Sequence, residues 1–262
     1  MAELEEIRLY GAKRLTHLKT RGHETKGFTL IELLVVIGIL ALLGSLILPS
    51  LAGAKGKARQ ATCVNNLRQI NVAIHLYTDD SNNVFPISGS NWFGAFTRCA
   101  VLAKNYLGVA GVQSGHSRIF ACPADTFYYD FETTARIYYI AQSIHDQVGA
   151  DFSSYAFNAG NFPYGWPPRP RWPGIAGLKA TAINQPGRTV LVAEYTALFP
   201  YSWHRPAAAP GWYNDARCVV SFVDGHVSYL KIYWDAANAR GAHLEAWQYD
   251  PPSNYGYQWS AN

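Results

Sequence analysis

From Phe28 to Leu48 the chain runs through 21 residues in which Glu32 is the only charged side chain. At about 1.5 Å of rise per residue, a helix of that length spans roughly 31 Å, close to the hydrocarbon thickness of a bilayer. Lys and Arg precede the run, Arg21 and Lys26 nearest to it. By the positive-inside rule that places the leader on the cytoplasmic side, with the bulk of the chain outside. Pro49 follows at once, but Ala52, Ala54, Ala58 and Ala61 favour continued helix, while Gly53 and Gly56 weaken it locally. Then Cys63, Leu67, Ile70, Ile74 and Tyr77 recur at steps of four, three, four and three, one apolar stripe on a helix. Asn65, Arg68, Gln69 and Asn71 fall on the other faces. The pattern predicts a single helix of about 50 residues, apolar all round in its first half and amphipathic in its second. Asp79-Asp80-Ser81-Asn82-Asn83 ends it.

Regular structure is sparser further on. Val101–Leu107 has the pattern of a short helix, and Gly108–His116 is a Gly-rich loop. Arg136–Ile144 fits a strand or a short helix, and Tyr155–Pro173 reads as loop and turns because Gly, Pro and Asn dominate it. Thr189–Glu194 is a continuous apolar run of strand length, predicted to be a central strand. Cys218–Val223 and His226–Leu230 flank Asp224-Gly225, which predicts a hairpin with a type I′ turn. The tail from Asp235 is predicted to be helix followed by loop. The fold class expected is α+β, with a long N-terminal helix packed on an antiparallel sheet that carries long aromatic-rich loops. Residues 1–27 are expected to be a separate leader, 28–49 the membrane half of the helix, and 50–262 one outer domain.

Composition narrows the function. Of 262 residues, 49% are hydrophobic and 15% charged, and the net charge is +4. Half of that excess lies in the first 27 residues, so the remainder is nearly balanced and has no electrostatic footprint for nucleic acid. Cys63, Cys99, Cys122 and Cys218 all lie beyond the span, on the oxidising side. An even count there predicts two disulfides, with three pairings open. No C-x-x-C spacing is present, which argues against zinc. G-x-S-x-G, H-E-x-x-H and a phosphate loop are also absent, so no catalytic residue is assigned.

Two features separate the apolar run from a generic anchor. Glu32 is a carboxylate four residues into hydrocarbon, where an ionisable group costs at least about 2.5 kcal/mol unless it finds a partner. The Gly27-Phe28 junction sets a small residue between a basic one and the span, which suits a peptidase at the cytoplasmic membrane face. A secretory signal peptide would be cut after its apolar run, not before it.

Lys26-Gly27-Phe28-Thr29-Leu30-Ile31-Glu32 resembles the type IV prepilin signal, which type II secretion pseudopilins share. The resemblance implies cleavage between Gly27 and Phe28 by prepilin peptidase, methylation of the new Phe28 amine, and pairing of Glu32 with the Phe28 ammonium of a neighbouring subunit. It also implies partners: other pilins or pseudopilins in a filament, an inner-membrane assembly platform and the membrane itself. The location implied is a single-pass inner-membrane protein with a periplasmic C-terminal domain, later a filament in the periplasm or at the surface. Small residues on the span, Gly38, Ala41, Gly44 and Ser45, suit close helix packing.

Downstream, Cys63-x-x-Asn66-Leu67-Arg68-Gln69-Ile70, Tyr77-Thr78-Asp79-Asp80, Phe85-Pro86, Phe120-Ala121-Cys122-Pro123-Ala124-Asp125, Ser154-Tyr155-Ala156-Phe157-Asn158 and Pro186-Gly187-Arg188-Thr189 resemble pilin-like proteins of planctomycetes and verrucomicrobia. Trp203-His204 followed by Phe222-Val223-Asp224-Gly225-His226 resembles a "His, nine residues, Asp-Gly" domain. Here 19 residues separate His204 from Asp224. An enzyme would need His204 or His226 paired with Asp224, plus a nucleophile from scattered Ser or Cys. Some major pseudopilins hold calcium, and Asp79, Asp80, Asp125 and Asp130 are the nearest candidates here. They form no ligand ladder, so no metal and no cofactor is assigned. The alternative to a filament subunit is a membrane-anchored extracytoplasmic binding module for polysaccharide or a secreted partner, using Trp166, Arg169, Arg171 and Trp172.

Overall fold

The computed structural model describes residues 27–87, 102–109, 117–131, 137–147, 153–161, 172–208, 211–235 and 245–262. Helix α1 runs Leu30–Asp80, 51 residues with Pro49 inside it. The chain divides into two compact units, the first ending at Ser50 and the second spanning Leu51–Asn262.

In the first unit the apolar side chains of α1 are exposed on every face, from 45% at Val36 to 78% at Leu30. By length and composition this helix is able to cross a membrane. The hydroxyls of Ser45 and Ser50 donate back to the carbonyls of Leu42 and Ile47, at 2.7 and 2.8 Å. Both polar groups are thus satisfied inside the helix, as a hydrocarbon environment demands.

In the second unit the predicted stripe faces the core. Cys63, Leu67, Ile70 and Ile74 are each at most 2% exposed. Asn71, placed by pattern on a face other than the stripe, is buried as well, and its Nδ2 donates to the Phe222 carbonyl at 2.8 Å. The helix stops where the Thr78 carbonyl receives the amides of Ser81 and Asn83. Asn82 and Asn83 then turn left-handed at φ 56° and 58°. Asn tolerates that region better than other residues with a Cβ.

Strands β1 (Tyr128–Phe131) and β2 (Ile137–Ile140) form a two-stranded antiparallel ribbon. The main sheet is antiparallel in the order β3 (Tyr155–Phe157), β4 (Val190–Glu194), β5 (Ala216–Phe222), β6 (Val227–Ile232). All five residues of β4 are buried, as its continuous apolar run predicts for a central strand. A register shift between Val190 and Val192 marks a bulge against β5. The short helix expected near Val101–Leu107 is present over 102–106.

Two expectations need correction. Tyr155–Phe157, read as loop, is the edge strand β3: pairing with β4 holds it extended despite the Asn, Gly and Pro that follow. The β5–β6 turn is not type I′. Phe222 N donates to His226 O and Gly225 N to Phe222 O, both at 3.0 Å. Gly225 has φ +96°, whereas Asp224 is not left-handed. This is the three-residue loop in which a turn is followed by a left-handed glycine, with Val223 drawn into the loop. In the tail, the described residues include the 3-10 turn Ala246–Gln248, after which Gln258 bridges Thr189 in parallel, while 236–244, where the predicted helix would fall, lie outside the described residues. Asn158 Nδ2 locks that end by donating to the carbonyls of Val190 and Trp259, at 2.9 and 2.7 Å. The loop residues Trp166, Arg169 and Arg171 lie outside the described residues, while Trp172 packs edge-on against Trp247 at 4.6 Å.

Candidate functional site

Residues 27–29 are exposed and lead into α1. Gly27 is exposed and a Cβ added to it would meet nothing within 4 Å, so the fold itself does not demand glycine there. Phe28 is 69% exposed. Glu32 sits in the first turn of α1. Its Oε2 accepts from Thr29 N at 2.9 Å and from Thr29 Oγ1 at 2.8 Å, and Thr29 Oγ1 accepts from Glu32 N at 3.2 Å. This is a capping box: Thr and Glu three residues apart satisfy each other's amides at the helix start. The T-x-x-E spacing announces this local partner, whereas the expectation for Glu32 named only a partner in another subunit.

In the outer unit the motifs that are weak singly meet. Cys63 of α1 and Cys122 form a disulfide across 59 residues of chain. Asn66, one helical turn from Cys63, donates through Nδ2 to the carbonyls of Arg118 and Ala121 and to Tyr155 Oη. Cys122 N donates to Ser154 Oγ at 2.9 Å. Cys218 is a free, fully buried thiol, accepting from Thr196 Oγ1 and donating to Tyr201 O. Burial, with the nearby Glu194 charge, pushes that thiol well up. Two bridges were expected; the described residues hold one, and Cys218, buried within β5, is a free thiol. Cys99 lies outside the described residues.

Beside the disulfide lies a buried carboxyl–imidazole contact that the sequence did not suggest. Glu194 closes β4 with a fully buried side chain, and its Oε1 lies 2.7 Å from His204 Nε2. Its Oε2 accepts from Val219 N at 2.9 Å. Cys122 Sγ lies 3.6 Å from Glu194 Oε1 and 3.9 Å from His204 Nε2. The histidine of the variant motif is therefore not brought to Asp224. Asp224 pairs with His226 instead, Oδ1 to Nδ1 at 2.6 Å, with both side chains about two-fifths exposed.

A second polar cluster contains Ser, His and Asp but not the geometry of a nucleophile relay. His145 Nδ1 lies 2.8 Å from Asp125 Oδ2 and 3.1 Å from Ser154 Oγ, while Ser154 Oγ donates to Asp125 Oδ2 at 2.8 Å. A relay needs serine and carboxylate on opposite ring nitrogens. Here both face Nδ1, so the cluster ties the 120–125 segment to β3 rather than activating a hydroxyl. Burial alone would lower His145, but its hydrogen bond to Asp125, that carboxylate's charge and Asp146 raise it on balance. Of the calcium candidates, Asp125 is thus committed internally, Asp80 accepts from Tyr106 Oη at 3.0 Å, Asp79 is exposed, and the Asp130 side chain lies outside the described ones.

Glu245 is a buried carboxyl that receives Trp247 Nε1 at 2.5 Å. Burial pushes it up to about 8, against the smaller opposing effect of that hydrogen bond. Because the folded form holds its proton more tightly than the unfolded form, stability from this group is full at low pH and is lost as pH rises through about 8. Chemical denaturation from pH 5 to 9 is expected to show a decline that Glu245→Gln flattens, by an amount on the order of 4 kcal/mol. Parallel pH profiles of the two proteins would contradict this.

Comparison with known proteins bears on the N-terminal segment. Residues 23–48 match the family described as the prokaryotic N-terminal methylation motif, and residues 53–99 match a family of unknown function, DUF1559. The chain is similar to the type II secretion system core protein G of Pectobacterium carotovorum subsp. carotovorum, 41% identical over 61 residues, covering 23% of this chain and 39% of the relative. It is also similar to that of Aeromonas hydrophila, 45% over 56 residues, 21% of this chain and 39% of the relative. For that of Klebsiella michiganensis the figures are 33% over 81 residues, 31% and 56%. The chain thus spans less than two thirds of the length of these curated relatives. No solved structure matches it.

Proposed function

We propose that the chain is a structural subunit of a pilin or pseudopilin filament, made with a leader that prepilin peptidase removes at Gly27-Phe28. One observation carries this reading: the matched segment Gly27–Glu32 opens a 51-residue helix whose first half exposes apolar side chains on all sides. Such a surface is stable only in lipid or against other helices. The membrane holds the subunit after synthesis; extraction from the bilayer is offset when neighbouring helices rebury the same surface. The partners are prepilin peptidase, further pilins or pseudopilins and an assembly platform in the inner membrane, and the work done is packing.

Glu32 supplies register in this reading, because a charge in an apolar bundle must meet an opposite charge. The capping box refines the test. Glu32→Gln keeps an acceptor for Thr29 but removes the charge, whereas Thr29→Val removes most of the cap and keeps the charge. Glu32→Gln, like Glu32→Ala, is expected to be cleaved normally and to enter filaments at least about tenfold less, the equivalent of 1.4 kcal/mol. Thr29→Val is expected to assemble nearly as well as the parent. Quantifying subunits in sheared filaments decides it; undiminished incorporation of Glu32→Gln would overturn the register role.

A further inference from the structure

We propose that Cys63, Cys122, Glu194 and His204 form a two-state centre, a disulfide when oxidised and a four-ligand site for a zinc-class divalent metal ion when reduced. This goes beyond the filament reading and does not depend on it.

The disulfide accounts for only two of the four residues. A sulfur–sulfur bond makes no demand for a carboxylate and an imidazole beside it, yet Glu194 is fully buried and the His204 side chain only 3% exposed. A buried carboxyl–imidazole pair is weak as a stabilising device, since the cost of taking both groups out of water offsets most of what their contact gains. Its position against the two sulfurs is what a ligand set requires. One ligand atom from each residue lies within 4.8 Å of all the others. In a tetrahedral zinc site with bonds of about 2.0–2.3 Å, ligand atoms stand roughly 3.3–3.8 Å apart. His204 Nε2 and Glu194 Oε1 already point at one another at 2.7 Å, so a metal ion would take the place of the proton they share. The Cys63 and Cys122 Cα atoms are 5.4 Å apart, leaving room for two thiolates on one ion by side-chain rotation.

The surroundings fit. Glu194 Oε2 is held by Val219 N, and Cys122 N by Ser154 Oγ, so two ligands have their orientation fixed by a second layer of hydrogen bonds. Two thiolates, an imidazole and a carboxylate favour zinc over calcium or magnesium, which take oxygen donors only. The C-x-x-C spacing that usually flags zinc is absent because the two cysteines come from α1 and a loop, not from one knuckle.

The chemistry balances as follows. A phosphine attacks one sulfur, the sulfur–sulfur bond breaks, and water supplies the oxygen of the phosphine oxide and the protons of two thiols. Binding of the divalent ion then releases both thiol protons, sends the proton held between His204 Nε2 and Glu194 Oε1 to solvent or to His204 Nδ1, and forms two metal–sulfur bonds, one metal–nitrogen bond and one metal–oxygen bond.

The test uses the full chain in detergent, carrying Cys99→Ser and Cys218→Ser so that only two thiols remain, with Co(II) as the probe. After phosphine treatment, one Co(II) per chain is expected, with thiolate-to-cobalt charge-transfer absorption and the visible bands of a tetrahedral ion. Zn(II) should displace it. The oxidised protein should show neither signal. Cys63→Ser should cut the charge-transfer band per bound cobalt to half or less, and His204→Gln and Glu194→Gln should each weaken binding at least about tenfold to a hundredfold. Sub-stoichiometric binding, or unchanged binding in His204→Gln and Glu194→Gln, would overturn the proposal. So would loss of the fold on reduction that metal does not restore.

Discussion

Replacing Cys122 with serine should destabilise the oxidised outer unit by about 4 kcal/mol. The bridge to Cys63 closes 59 residues, and the loop-closure entropy removed from the unfolded chain by a crosslink of that span is about 4 kcal/mol at room temperature. Both half-cystines are essentially fully buried, so the serine hydroxyl also enters an apolar space beside the Glu194 carboxylate. For a unit of this size each kcal/mol is worth roughly 2–4 °C in Tm, so a drop of about 10 °C is expected. The measurement is thermal unfolding of the full chain in detergent, in the presence of a chelator and without reductant. Cys63→Ser and the double variant should behave alike, because each removes the same single crosslink. A Tm within 2 °C of the parent would show that the bridge does not restrain the unfolded chain.

That bridge also shows where the sequence stops being informative. The stripe Cys63, Leu67, Ile70, Ile74 could be read off directly, because helical period and burial coincide and no distant residue is needed to decide it. Asn66 and Asn71 could not. A polar side chain on the buried side of a helix makes sense only once its acceptors are known, and those lie 52 to 151 residues away. The same applies to Glu194, which looks like the polar end of an apolar strand until His204, Val219 and the disulfide enclose it. Of three cysteine pairings, spacing could not choose, since loops set which sulfurs meet. The hairpin was recognised but its turn was not: Val223 is apolar and reads as strand, yet it is bonded into the loop by the Thr189 carbonyl. The T-x-x-E cap at Thr29 and Glu32 was in plain view, hidden only by attention to a partner in another chain. What is local in sequence was legible; what is polar, buried and satisfied from afar was not.

Changing Gly27 to leucine should stop maturation altogether. The argument rests on a separation that the structure makes possible. A side chain at position 27 meets nothing within 4 Å, and leucine carries no charge to disturb the basic flank, so neither the fold nor membrane insertion is touched. The Thr29–Glu32 cap lies beyond the proposed cleavage point and is also intact. Any loss of processing therefore reports on access of a peptidase to the Gly27-Phe28 peptide, where a branched side chain must fit in place of a hydrogen atom. The expected product is a membrane protein that keeps its first 27 residues, seen as a slower band and as an unprocessed N-terminus by mass spectrometry. Gly27→Ala, a smaller change, should be cut at a reduced rate. In cells that lack the peptidase, parent and variant should become indistinguishable. Release of a chain beginning at Phe28 from Gly27→Leu would place the cut under some other control and remove a premise of the proposed assembly, in which a free Phe28 amine offers Glu32 of a neighbouring subunit its counter-charge.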